Sequence, residues 1–335
     1  MFKFNDITTE ELQVAIEKAS FINNISEVII EKDYWVCFML NYLFTESKWK
    51  NLFVFKGGTS LSKCYGIIKR FSEDIDLILD WRAIGYEKYE PWSERTSTQQ
   101  DKFNKNANLK TQDFLIKKFI PNVINDLKIL IKNPFEIFID PLDNQTVIFK
   151  YPKIFDNNYI RQEIRLEIGP LAAWTPSEDI LIKPDLYNDF PKIFSGDGII
   201  VKSVSPQRTF WEKITLLHQE ANRPNNVFIP KRQARHYYDV YSFMNSKYIK
   251  DALIDIKLLY KVVQFKQKFY YTKWAKYEEA TIDKIKIVPE EYRINEIKED
   301  YEHMKQMIYG DIPPFELIIE NLKILEEQIH KLNKK

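Results

Sequence analysis

The chain has 335 residues, of which 44% are hydrophobic and 15% aromatic, with 49 Lys and Arg against 48 Asp and Glu. That length and apolar content call for a globular protein of more than one lobe and exclude a disordered chain. The even charge balance removes any general case for a polyanion or anionic-membrane binder, so nucleic-acid contact has to come from a local patch.

Thr8 or Thr9 can cap a first helix and Ser26 a second, in which Ile25, Ile29, Phe38, Met39, Tyr42 and Leu43 approximate a 3.6-residue period. Leu52 to Phe55 is a short apolar run that ends at Lys56-Gly57-Gly58, and Ser60 to Ile68 reads as a helix, giving strand, glycine turn and helix in succession. Ile75 to Leu79 is the next strand, where alternation places Asp74, Asp76 and Ile78 on one face. From Asp80 to Gln112 the composition turns polar and reads as an insertion or mobile loop. A helix over 113–131 follows, then strands near 135–139, 146–151 and 160–168, which make the sheet mixed and mostly antiparallel. Pro170, Pro176, Pro184, Pro191 and Pro206 mark the passage to a helical remainder, closed by an apolar stripe from Phe315 to Leu332. The expected organisation is α+β: a core over 1–205 with N-terminal helices and the 80–112 insertion, then a helical lobe over 206–335. Cys37 and Cys64 have no CxxC spacing, no secretory leader opens the chain and no long uncharged apolar run occurs, so the expected setting is a reduced cytoplasm without a membrane span.

Gly57-Gly58 is the single adjacent glycine pair among eight glycines. Glycine at a strand-to-helix turn permits positive φ and close backbone approach, and the amides that follow can receive a phosphate. Asp74 and Asp76 sit a helix and a turn later on one strand face, a hard oxygen set suited to Mg²⁺, which takes one or two protein carboxylates together with phosphate oxygens. A pair of such ions would activate an attacking hydroxyl and neutralise a leaving pyrophosphate. The four histidines lack zinc spacing, which leaves the metal to carboxylates. A third acid is expected from the strand 160–168, where Glu163, Arg165 and Glu167 share a face; Glu167 is the candidate and Glu163 the reserve. Further on, Lys213 on an amphipathic helix is positioned to bind a triphosphate, and Lys231, Arg232 and Arg235 concentrate positive charge as a phosphate-facing patch for an acceptor. Arg235 and Asp239 have the offset of an i,i+4 surface pair.

The blocks Glu31-Lys32-Asp33-Tyr34-Trp35-Val36, Phe55-Lys56-Gly57-Gly58-Thr59-Ser60, Arg70-Phe71-Ser72-Glu73-Asp74-Ile75-Asp76, Arg208-Thr209-Phe210-Trp211-Glu212-Lys213 and Arg235-His236-Tyr237-Tyr238-Asp239 resemble, in order and spacing, the AbiEii/AbiGii toxin family of nucleotidyltransferases. The resemblance implies a polymerase β-like fold, a small mixed sheet flanked by helices and followed by a helical lobe. It also implies that Gly57, Gly58, Thr59, Ser60 and Ser72 contact nucleotide, that Asp74 and Asp76 hold metal, that Lys213 contacts the triphosphate and that Asp239 supports catalysis. Such proteins are the toxin halves of bacterial toxin–antitoxin and phage-abortive-infection systems, so a cognate antitoxin encoded nearby is an expected partner.

The expected reaction is Mg²⁺-dependent transfer of a nucleoside monophosphate from an NTP to an RNA acceptor such as tRNA, with pyrophosphate released. Two rivals stand beside it. One keeps the chemistry and makes the acceptor a protein hydroxyl or a small molecule such as an antibiotic; the other is a non-catalytic RNA- or partner-binding module that kept the fold.

Overall fold

The computed structural model describes residues 2–72, 74–157 and 160–332. It divides into two compact units, the first formed by 1–64 and 73–203 and the second by 65–72 and 204–335.

The first unit begins with β1 (Lys3–Phe4), α1 (Thr9–Asn23) and α2 (Glu27–Asn41). Thr8 caps α1 through a capping box with Glu11, satisfying two amides that the helix start would otherwise leave unpaired. Ser26 occupies the corresponding position before α2 without a side-chain cap bond. β2 (Phe53–Lys56), α3 (Gly57–Lys63) and β3 (Asp74–Leu79) follow. α3 starts at the glycine pair and stops at Lys63, shorter than the apolar run up to Ile68 implies, because residues 65–72 leave the helix for the second unit. Next come α4 (Ser97–Phe114), α5 (Ile120–Leu130), β4 (Glu136–Asp140), β5 (Asp143–Lys150), β6 (Ile164–Gly169), β7 (Ser177–Ile182), β8 (Phe194–Ser195) and β9 (Ile199–Val204).

The main sheet has seven strands in the order β4-β5-β6-β3-β2-β9-β7, while β1 pairs β8 separately. β3 lies antiparallel to β2 and parallel to β6, so the aspartate strand runs between the strand that leads into the glycine turn and the strand that carries Glu167. Two expectations change. The 80–112 stretch is not a loop through its length: after short 3-10 turns it enters α4, whose buried Gln100, Phe103, Ala107, Thr111 and Phe114 form a narrow stripe on a polar helix capped by Thr96 and Gln99. The proline-rich stretch contributes two further strands to the sheet, β7 and β9, with the prolines confined to the segments around them.

α2 is buried around its circumference from Ile30 to Asn41, including Glu31, Lys32 and Asp33. Charge survives there because each group is partnered. Lys32 Nζ donates to the Arg161 carbonyl at 2.6 Å, and Glu31 accepts from the amides of Ile154 and Phe155. Asp33 pairs with Lys63 and accepts from the Asp185 amide at 2.6 Å. Burial nevertheless pushes the Glu31 carboxyl up to about 7, against the pull of those two amides.

The second unit is helical: α6 (Pro206–Ala221), α7 (Ala234–Met244), α8 (Ile249–Ile254), α9 (Ile256–Phe269), α10 (Glu291–Met304) and α11 (Phe315–Lys331). Residues 65–72 are stitched to its C-terminal part: Phe71 donates to the Met307 carbonyl and Tyr309 to the Lys69 carbonyl, each at 2.7 Å. No helix among the described residues is long and apolar enough to cross a membrane.

Candidate active site

β2 delivers the chain to Gly57, whose φ of +82° opens the turn into α3. A Cβ built on Gly57 would lie 1.8 Å from Asp76 Oδ2, because the antiparallel register sets Lys56 opposite Asp76. Glycine is therefore required twice, by the backbone angle and by the carboxylate that fills the space of its missing side chain. Gly58 takes up the first turn of α3. Thr59 Oγ1 donates to the Asp74 carbonyl at 2.5 Å and Ser60 Oγ to the Gly57 carbonyl at 3.2 Å, and both residues are buried. Both hydroxyls, expected at the nucleotide, sit at the turn with these backbone bonds, and the one from Thr59 ties the turn to the start of β3.

On β3, Ile75 and Leu77 are fully buried while Asp74 and Asp76 are half-buried on the opposite face, as period-two alternation requires. The parallel register with β6 sets Arg165 beside Asp74 and Glu167 beside Asp76. Arg165 reaches Asp74 at 3.9 Å, Glu163 at 3.5 Å and Asp140 at 2.5 Å, so it neutralises part of this acidic face. Glu163 is thereby an arginine partner. Glu167 is exposed at the register position a third ligand would need. Among the described residues no three Asp, Glu, His or Cys side chains are gathered closely enough to hold a metal as they stand. The donor set itself, two carboxylates on one strand with a third across the ladder, fits a hard divalent cation. Glu73, within the quoted motif, lies outside the described residues, and Ser72 is half-buried.

The second unit holds a different constellation. Asp239 on α7 is fully buried, and its carboxylate takes a bidentate pair from Arg70, with Nε to Oδ1 at 2.7 Å and Nη2 to Oδ2 at 2.8 Å. Lys213 Nζ on α6 lies 2.6 Å from Oδ2 and 3.5 Å from His236 Nδ1. Burial alone would raise the Asp239 carboxyl, but the Arg70 guanidinium and Lys213 ammonium outweigh it and hold it below the usual carboxylate range. Lys213 is shifted down, first by burial and then by Arg70, against the pull of Asp239. His236 is driven well down by burial and by the Lys213 and Arg235 charges, which leaves it neutral and able to accept from Lys213. Two cations share one carboxylate.

Arg70 is the member that sequence reasoning missed. It stood in a quoted motif, but nothing in local spacing pairs residues 169 positions apart. Both of these partners of Asp239, Arg70 and Lys213, come from outside its own helix. Arg208 is buried and bonded to Glu212 at 2.9 Å. Lys231 and Arg232 are exposed and Arg235 half-buried at the start of α7. An acid from α10 backs them: Asp300 accepts from the amides of Arg232 at 2.8 Å and Ala234 at 2.7 Å, so a carboxylate already occupies this helix start.

Residues 39–321 match the sequence profile of the family described as nucleotidyl transferase AbiEii toxin, type IV toxin–antitoxin system. Among solved structures the chain is similar to MenT4, a nucleotidyltransferase toxin from Mycobacterium tuberculosis, at 15% identity and a TM-score of 0.51, over 98% of this chain and 94% of that one. A crystal structure of a putative nucleotidyltransferase from H. pylori aligns at 15% identity and a TM-score of 0.42, over 98% of each chain. No curated protein sequence matches. The family match makes the chain a nucleotidyltransferase, and its mixed sheet with a helical C-terminal part is the fold it shares with the first of these structures. The chain belongs to the AbiEii family of nucleotidyltransferase toxins, and membership in a type IV toxin–antitoxin family implies a cognate antitoxin.

Proposed function

We propose that the chain transfers a nucleoside monophosphate from an NTP to a hydroxyl of an RNA such as tRNA, in the cytoplasm, as the toxin of a system that serves phage defence. The observation that carries the chemical part is the interlock of Gly57 and Asp76: the turn that approaches phosphate and the carboxylate that holds metal share one space. Asp74 and Asp76, with Glu167 as third ligand, would hold Mg²⁺, in two ions, which when bound neutralises phosphate charge and lowers the pKa of the attacking hydroxyl. Gly57 and Gly58 let the backbone approach the nucleotide phosphates, and Ser72 offers a hydroxyl to them. The acceptor oxygen attacks the α-phosphorus as the bond to pyrophosphate breaks. Lys213 is assigned a phosphate of the triphosphate. Asp239 and Arg70 set its position, since Arg70 keeps Asp239 paired when Lys213 turns to a ligand.

Incubating the protein with each α-labelled NTP and Mg²⁺, then separating RNA, protein and metabolite pools, tests the reading. Label is expected in RNA; label in protein alone would remove the RNA acceptor and restore the protein-hydroxyl alternative. Induction in a bacterium is expected to arrest growth, and Lys213→Ala to relieve the arrest at equal soluble yield. Equal arrest by both would point to expression rather than chemistry.

A further inference from the structure

α9 and the turn after it form the basic, aromatic stretch 256–276, which carries Lys257, Lys261, Lys266, Lys268, Lys273 and Lys276 and no carboxylate, in a chain whose net charge is +1. The helix is strongly two-faced. Leu258, Leu259, Val262, Val263, Phe265 and Phe269 are buried, and α9 packs on α6. On the outer face Lys257, Tyr260, Lys261, Gln264 and Lys268 fall within about 100° of circumference and extend over about 16 Å. Tyr260 is 42% exposed, Tyr270 49% and Tyr271 64%. Lys266 lies 5.4 Å from the Tyr270 ring centre, so cation and aromatic face are already paired there. Lys276 is held by Glu279 at 3.9 Å, whereas Lys257, Lys261 and Lys273 form no ion pair with any described residue.

Exposed tyrosines cost apolar surface, and unneutralised lysines beside them repel one another. A ligand that offers both phosphates and flat rings resolves both costs. Single-stranded nucleic-acid surfaces are built this way, from cations that track the backbone and aromatic faces that stack unpaired bases. A membrane surface would also take lysines and interfacial tyrosines, but a helix that lies on one gives its apolar face to the lipid, and that face of α9 is buried with the helix packed on α6. The start of α7 is the poorer competitor, because Asp300 sits on its amides.

We propose that Lys257, Lys261, Lys268 and Lys273, with Tyr260, Tyr270 and Tyr271, form a binding surface for single-stranded RNA that holds the acceptor strand. The acceptor role rests on the reading of RNA as acceptor given above; the binding does not. The test titrates the full-length protein into a labelled oligouridylate across a KCl series, without NTP, so that binding is read apart from catalysis. Lys257→Ala/Lys261→Ala/Lys273→Ala is expected to weaken binding roughly tenfold or more and to lower the log–log salt slope by about 2. Tyr260→Ala/Tyr271→Ala is expected to weaken it roughly thirtyfold or more with the slope unchanged. Both variants should melt and bind NTP like the wild type. Wild-type affinity and slope in the lysine and tyrosine variants would overturn the proposal. So would loss of the slope on Lys231→Ala/Arg232→Ala alone, or binding of phosphatidylserine vesicles as tight as that of the oligonucleotide. If NTP label enters protein while the oligonucleotide still binds through these residues, the acceptor reading fails and the RNA surface stands.

Discussion

The aspartate face of β3 and the buried cluster around Asp239 are both built of carboxylates and cations, yet they are finished differently. Asp74 and Asp76 keep part of their surface exposed, and the cation beside Asp74, Arg165, is shared with Glu163 and Asp140. Asp239 is sealed, and short bonds to Arg70 and Lys213 occupy both of its oxygens. A half-exposed carboxylate can give up water for a metal at small cost to the fold, whereas a sealed one contributes to stability only while its partners remain. The same residue type therefore predicts opposite balances of activity and stability in the two regions.

Asp74→Asn and Asp76→Asn put that contrast under the greatest strain. Each keeps shape and loses charge, so NTP incorporation is expected to fall by roughly a thousandfold or more while urea midpoints stay near wild type. Wild-type-like incorporation would sink the site assignment. Asp239→Ala should behave in the reverse sense: two buried cations lose their counter-charge, and urea unfolding should show a loss of about 3–5 kcal/mol. A neutral effect on stability would mean that the cluster is not sealed.

Glu31 sharpens the comparison with a carboxyl that is buried but short of cations. Its value of about 7 lies above that of the unfolded chain, near 4.5, so the native state keeps a proton that the unfolded state releases. The stability this confers is complete below about 4.5 and is lost as pH rises to about 7, by about 3 kcal/mol at most. Urea unfolding across that window should show the decline, and Glu31→Gln should flatten it. The smallest effect belongs to Gly57→Ala, where the Asp76 clash and the positive φ should cost about 1–3 kcal/mol together with turnover. A fully active alanine variant would separate the turn from the aspartate pair.

Much of the aspartate region was legible from local pattern. The alternation of 74–79 fixed which residues share a face, and the alternation of 163–168 put Glu167 forward; the register of β3 with β6 then set it beside Asp76. The apolar stripe of α11 and the Thr8 cap of α1 were equally local signals. What escaped was decided elsewhere in the chain. α4 hid in the 80–112 stretch because a helix with a narrow buried stripe looks polar throughout. β7 and β9 hid among prolines that stand beside strands rather than within them. The burial of Thr59 and Ser60 and the bond between Arg70 and Asp239 depend on which elements pack together, and no spacing rule reports that.

The excursion of residues 65–72 bears on how the protein can be made. These eight residues, Arg70 among them, belong with the helices that begin at Val204, and the intervening 73–203 belong elsewhere. During synthesis they leave the ribosome long before their partners, so the helical unit has to wait for more than a hundred residues of other structure before Asp239 arrives to meet Arg70. Cutting the gene at the 203/204 junction would separate the pair for good. An expressed 204–335 fragment would carry Asp239 with Lys213 alone and would lack the segment that bonds to Met307 and Tyr309. A self-standing helical unit would need residues 65–72 joined back to it, by a linker or by circular permutation.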